Sequence, residues 1–289
     1  MTLAFTKGHG TQNDFVLLFD PAGTIDLTPE LVRFLADRRA GLGGDGVIRA
    51  VRAGAVDTGA GFAPETWFMD YWNADGTTAE MCGNGARVFG AFIEASAGVT
   101  LGEGTVIGTR GGPKTLTSLG GGRYAVGMGE YRLGDAGKGF DSEVAARGLE
   151  HVRPALSVDM GNPHHVVALA HLDELAALDL TVAPRVDPVP PHGTNVEFAV
   201  ALGEHAVDGE TRGRVRMRVH ERGSGETRSC GTGACAVALA MRAWGGDGAP
   251  DVWDVEVPGG LVTVRIEGSS TVLEGPAVLV AHGEVEAGD

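Results

Sequence analysis

The sequence predicts an α+β fold of two similar, pseudo-symmetric domains. Each is expected to be a mixed sheet or barrel of strands around one long central helix, with the site in the cleft between them. Three observations carry this reading. Two distant stretches share one layout: "MCGNGARVFGAF" (81–92) and "SCGTGACAVALA" (229–240) each hold C-G-x-G-A followed by an apolar, helix-like run. Cys82 and Cys230 lie 148 positions apart, and upstream landmarks repeat at almost that offset. The length, 289 residues, suits two domains of ordinary size.

The elements follow in order. "TQNDFVLL" reads as a strand entered through Asn13, and "PELVRFLADRRA" as a helix. "GGDGVIRAV" is a second strand, entered at Gly46, and "ETWFMDYWN" (65–73) a third, ending at Asn73. A Gly/Thr-rich loop reaches Cys82, after which Val88, Phe89, Phe92 and Ile93 mark a largely buried helix. The layout then recurs. "GNPHHVVAL" is entered through Asn162 and "GTNVEFAV" through Asn195, each 149 positions after its counterpart. "RVRMRVHE" (214–221) ends at Glu221, nine positions before Cys230 as Asn73 is nine before Cys82. Val237, Leu239, Met241 and Trp244 mark the second buried helix. The boundary is expected in the glycine-rich "SLGGGRYAVGMGEY", giving domains 1–122 and 123–275, with the last strand, near 276–287, a candidate to return to the first.

Composition bounds the function. The chain is 43% hydrophobic and 21% charged, as soluble globular proteins are. A net charge of −15 argues against nucleic acid and anionic membrane as partners. Three cysteines make no disulfide framework, and neither a signal peptide nor an apolar span of about 18 residues is visible. The expectation is a reduced, cytoplasmic protein. Glycine is abundant, at 47 residues, but dispersed among strand-like runs, as tight turns require.

The twin stretches point to chemistry. A helix start offers unpaired N–H groups and partial positive charge, which suit a carboxylate. The same field is expected to lower a thiol's pKa. If the repeats face each other, one sulfur as thiolate can remove an α-proton while the other, as thiol, returns a proton to the opposite face. Inversion needs two similar bases, because forward and reverse directions exchange their roles. Charge developing on the carboxylate would be stabilised by the backbone amides. Two such thiols are also expected to form an inactivating disulfide under oxidants.

The blocks "GHGTQNDF", "NADGTTAEMCGNGAR", "MGNPHHV", "GTNVEFA" and "ERGSGETRSCGTGACA", in this order over roughly 8–240, resemble diaminopimelate epimerase. The resemblance implies a cofactor-independent amino-acid epimerase that interconverts LL- and meso-2,6-diaminopimelate on the route to lysine and cell-wall peptide, commonly as a homodimer. It implies Cys82 and Cys230 as the catalytic pair, with His164 and Glu221 setting their thiol/thiolate balance. It implies substrate contacts from Asn13, Asn73, Gly83, Asn84, Asn162, Asn195, Glu221, Arg222, Gly231 and Thr232. Arg222 is assigned the distal carboxylate, which its planar fork can pair in bidentate fashion. Gly46 departs from the family pattern, where glutamine is expected. A proline-type racemase on the same fold is the alternative enzyme, and a carboxylate-binding protein without chemistry the non-enzyme alternative.

Other patterns carry less. Cys235 is read as core packing, five residues past Cys230 and on another helix face. "GLGGDG" (41–46) fits G-x-G-x-x-G but follows a helix and precedes a strand, the reverse of a dinucleotide fingerprint. "GTRGGPKT" (108–115) places Pro113 where a phosphate loop needs glycine. The cysteines lack C-x-x-C spacing, so no metal is expected. None of Lys7, Lys114 and Lys138 has a pyridoxal-phosphate setting. The charges at 212–218 read as a solvated strand face, and no chemistry is read in 135–155.

Overall fold

The computed structural model describes residues 1–135 and 137–287. The chain forms two compact units, Met1–Gly127 with Gly275–Asp289, and Met128–Glu274. The fold is α+β, and one layout is built twice.

In unit 1 the strands β1 (Thr2–Gly10), β2 (Asn13–Phe19), β3 (Gly46–Arg52) and β4 (Trp67–Asn73) join the chain's last strand. That last strand, β19 (Val278–Glu286), forms the edge of a five-stranded sheet of order β19-β1-β2-β3-β4. β2 and β3 are parallel and β3 and β4 antiparallel. Parallel neighbours need a crossover, which α1 (Pro29–Ala36) supplies. Val32 and Leu35 of α1 pack on Val16, Leu18 and Val47 on one face of the sheet. The other face holds α2 (Gly83–Ala97), whose residues 83–93 are all buried. A helix buried on every side is a core element rather than a surface one. Beyond it lie β5 (Thr105–Ile107), β6 (Lys114–Gly120) and the first part of β7 (Arg123–Glu130). Gly90 makes this approach possible: a Cβ there would meet Leu116, Tyr124 and Leu101 at 2.9–3.2 Å. Gly98, in the left-handed region at φ 63°, ends the helix.

In unit 2 the chain passes β8 (Arg132–Leu133), β9 (Ser142–Ala145), β10 (Arg153–Asp159) and β11 (Pro163–Ala168), then α3 (Leu172–Ala177) and β12 (Arg185–Asp187). Next come β13 (Asn195–Val207), β14 (Glu210–Glu221) and β15 (Gly225–Thr227), then α4 (Gly231–Gly245). β16 (Val252–Val257), β17 (Gly260–Glu267) and β18 (Ser270–Pro276) complete the unit. The sheet order is β12-β9-β10-β11-β13-β14-β16-β17-β18. β11 and β13 are parallel, with α3 as their crossover, and β13 and β14 antiparallel, as for β2, β3 and β4. β13 and β14 are joined by Asp208–Gly209, both at positive φ, the Asp-Gly pair that two-residue hairpins favour. α3 packs its Leu175 with Val167, Val196, Phe198 and Val200 on one face of this sheet. α4 lies on the other, with Ala234–Met241 buried.

The arginines of 212–218 are more engaged than a solvated face requires. Arg214 and Arg216 pair with Glu256 of β16. Arg218 pairs with Glu226 and donates to the carbonyls of Leu175 and Leu178 at the end of α3, as cations do at helix C-termini. Among the described residues, no helix is long and apolar enough to cross a membrane.

Candidate active site

The helices α2 and α4 start in the same way. Cys82 and Cys230 are their N-caps, both with extended backbone (φ −137° and −119°). Each sulfur accepts the N–H of the third helical residue: Gly85 N to Cys82 Sγ at 3.4 Å, Gly233 N to Cys230 Sγ at 3.3 Å. An oxygen normally fills this place. A thiol that caps a helix is held at the helix start, beside the first-turn amides. Gly83–Asn84 and Gly231–Thr232 supply those amides.

In unit 1, Cys82 Sγ donates to Asn13 Oδ1 at 3.5 Å, and Asn84 Nδ2 donates to the same oxygen at 3.2 Å. Asn13 Nδ2 donates to Asp45 Oδ2 at 2.7 Å, which fixes the amide's orientation. Asp45 is itself held by Arg38 at 2.7 Å. Asn13 is presented by the turn between β1 and β2, where Thr11 and Gln12 both take positive φ (51° and 63°). Non-glycine residues in this region cost about 1 kcal/mol or more each. Buried Asn84 also accepts from buried Arg87 at 2.8 Å. Asn73 ends β4 and donates to Thr77 Oγ1 at 3.1 Å. Gly46 faces Asn73 in the β3–β4 register. A Cβ at Gly46 would lie 2.4 Å from the Trp72 carbonyl oxygen, so no side chain fits there without backbone movement.

In unit 2, His164 is completely buried. Its Nδ1 lies 2.7 Å from Glu197 Oε1 and its Nε2 3.1 Å from Asn162 Oδ1. Asn162 Nδ2 donates to Thr232 Oγ1 at 3.4 Å, and that hydroxyl lies 3.5 Å from Cys230 Sγ. Glu221, the last residue of β14, accepts from Thr227 Oγ1 and hydrogen-bonds Cys230. Asn195 Oδ1 accepts the Arg222 N–H at 2.9 Å, and Asn195 Nδ2 donates to the Pro163 carbonyl at 3.2 Å. The Arg222 guanidinium donates to the His192 carbonyl at 3.0 Å.

The electrostatics of Cys230 correct one expectation. Its thiol is pushed well above the ordinary value, first by burial and then by the charges of Glu221 and Glu197. The Gly233 amide and the Thr232 hydroxyl pull the other way and are outweighed. A helix start lowers a thiol's pKa only where the sulfur keeps solvent and meets no carboxylates. Burial likewise raises the Glu221 carboxyl, with the Glu197 charge adding to the rise.

The structure therefore gathers Cys82, Asn13 and Asn84 in unit 1. In unit 2 it gathers Cys230, Thr232, Asn162, His164 and Glu221, with Asn195 and Arg222 paired. Sequence reasoning missed Asp45 and Glu197. Asp45 sits inside the glycine run set aside as a false fingerprint. Glu197 showed one signal, an acid two residues past Asn195 inside the otherwise apolar run of residues 196–202.

A family model for diaminopimelate epimerase matches residues 5–134 and 156–280. The chain is similar to a diaminopimelate epimerase from Streptomyces coelicolor, 48% identical over 295 residues and covering 99% of this chain and 96% of the relative. A diaminopimelate epimerase from Rhodococcus jostii is 46% identical, covering 98% and 97%. Among solved structures, a PhzF-family phenazine biosynthesis protein from Bacillus anthracis superposes with a TM-score of 0.66 at 13% identity, covering 99% of this chain and all of that one. A hydroxyproline epimerase from Agrobacterium vitis gives 0.60 at 14%, covering 98% and 92%. At such identities these two structures share the fold.

Proposed function

The chain belongs to the diaminopimelate epimerase family and is an isomerase acting on a small molecule; from that premise we propose how its residues interconvert LL- and meso-2,6-diaminopimelate. One sulfur, as thiolate, takes the α-proton: the C–H bond breaks, an S–H bond forms, and the electron pair moves toward the carboxylate. The other sulfur gives its proton to the opposite face, so its S–H bond breaks and a new C–H bond forms. The amides of Gly83–Asn84 and Gly231–Thr232 hold the enediolate-like carboxylate. Cys230, kept as a thiol by burial and by its carboxylate neighbours, is the acid in the direction where Cys82 is the base, and the reverse reaction exchanges the roles.

The observation that carries this reading is the pair of N-cap cysteines, each at the start of a buried 15-residue helix. Asn13, Asn73, Asn162 and Asn195 supply directional donors and acceptors for a substrate with two amino-acid ends. Arg222 takes the distal carboxylate. His164 and Glu221 set the proton balance at Cys230. Homodimeric assembly and a cytoplasmic setting belong to the same proposal, in keeping with three free cysteines and a pI near 5.0.

The test is incubation of the reduced protein, without added cofactor, with LL-diaminopimelate in deuterium oxide. Loss of the α-proton signal together with appearance of the meso isomer is expected. A folded, reduced sample that gives neither, but racemises proline, would move the assignment to a proline-type racemase.

A further inference from the structure

Glu197 takes no part in the proton transfers above. It is the third residue of β13 and is completely buried. Val196, Phe198 and Val200 alternate with it and enter the core beside α3, so Glu197 points to the opposite face, where α4 begins. Its Oε1 meets His164 Nδ1 at 2.7 Å. A Cβ added to Gly233 in the first turn of α4 would strike the same oxygen, also at 2.7 Å. Glu197 Oε2 has no hydrogen-bond partner among the described residues.

A buried carboxylate with one oxygen unpartnered is a poor way to seat a helix on a strand. Unit 1 solves the same packing task without one. At the offset of 149, His164 and Glu197 correspond to Phe15 and Ile48, both fully buried. Ile48 Cδ1 lies beside Gly85 just as Glu197 Oε1 lies beside Gly233. The fold closes with two apolar residues there, so the polar pair in unit 2 serves something other than closure.

The contacts show what. A continuous path runs from Glu197 to His164, Asn162, Thr232 and Cys230, with steps of 2.7, 3.1, 3.4 and 3.5 Å. Glu221 of β14 and Cys230 at the start of α4 are the other titratable groups near the ring. His165, next on the same strand, turns instead to Thr194 at 2.9 Å.

We propose that Glu197 is a positioning residue for proton transfer at Cys230, accepting from His164 Nδ1 and so keeping a proton on that nitrogen and fixing the aim of Nε2 along the path to the second thiol. A carboxylate behind an imidazole sets which nitrogen carries the proton. The proposal rests on the epimerase reading of the site, and its buried charge also adds to the rise of the Cys230 thiol.

The experiment uses the full chain as wild type, Glu197→Gln and the double variant His164→Phe/Glu197→Ile, which installs the unit 1 pair. Turnover of LL-diaminopimelate is measured across pH, melting is followed, and ¹⁵N-histidine spectra report the His164 ring, assigned by its loss in the double variant. Glu197→Gln is expected to lower kcat about 10- to 100-fold, with KM within about twofold and a displaced pH profile. The double variant is expected to melt no lower than wild type and to be inactive. Wild-type His164 should carry its proton on Nδ1. Wild-type kcat and pH profile in Glu197→Gln, a bare Nδ1 in the wild type, or a double variant that melts well below it would each overturn the proposal. If the wild type does not turn over diaminopimelate, the epimerase reading fails, and the ring spectrum and the melting comparison still decide the role of Glu197. They also decide it if Glu197→Gln does not fold.

Discussion

Below Cys82 lie Phe15 and Ile48; below Cys230 lie His164 and Glu197. The parallel pair with its crossover helix, the antiparallel strand after it, the N-cap geometry and the length of the buried helix are otherwise the same in the two units. The scaffold thus sets where a thiol stands, while the Cys230 thiol is raised first by burial and then by the charges of Glu221 and of Glu197 beneath it. A reaction that inverts one centre needs two similar groups, but it begins with one protonated and one not. In the proposed reaction, burial and the carboxylates beside Cys230 keep that sulfur protonated at rest.

The comparison can be broken most severely at the sulfurs. Cys82→Ala and Cys230→Ala are each expected to lower epimerisation by about 10³-fold or more, with melting close to wild type. Full activity in either one would show that the halves are not partners. Next come exchanges of the floor. His164→Phe leaves the Glu197 charge unpaired and is expected to cost about 3–5 kcal/mol of stability, read by denaturant titration, along with most of the activity. Phe15→His places an unpaired imidazole in an apolar site and is expected to cost about 1–3 kcal/mol. Equal costs would mean the floors are not distinct.

A smaller effect is expected in unit 1 from Asp45→Ala, which frees the Asn13 amide. KM should rise about tenfold, equivalent to roughly 1.4 kcal/mol, with kcat nearly unchanged; a kcat defect alone would contradict a substrate-orienting role. The smallest concerns alkaline pH. The Cys230 thiol is raised in the folded state, so its contribution to stability is fully present below the ordinary value of 9.0. It is lost as pH climbs from there through the folded value. Cys230→Ala should flatten this part of the stability profile, while Cys82→Ala should leave the Cys230 contribution in place.

Much of this comparison was legible before any coordinates. Repeated cysteines in C-G-x-G-A, with strands ending nine residues upstream, define a strand, a loop and a buried helix twice over. Periodicity is a local property, and these elements are locally encoded. Asn13, Asn162 and Asn195 stood at strand entrances for the same reason. What stayed hidden depends on burial and on partners distant in sequence. Glu197 is an ordinary acid until the fold closes over it and brings His164, 33 residues away, to its carboxylate. Asp45 looked like filler in a glycine run until a strand pairing set it beside Asn13. The raised thiol of Cys230 is a sum over burial and two carboxylates from two strands, and no local pattern reports such a sum.

The edge strand β19 has a consequence for synthesis. Thr2–His9 of β1 pair with residues 278–286, so the first unit is stitched from segments that precede and follow unit 2 in the sequence. A ribosome making this protein releases all of unit 2 before it has made the strand that completes unit 1. Domains ordinarily fold in the order they emerge; here the second to be started is the first that can be finished. Until then β1 presents an open edge, a ready template for pairing with another chain. The hazard lies in the interval before Val278–Glu286 clear the exit tunnel, and slow decoding there would lengthen it.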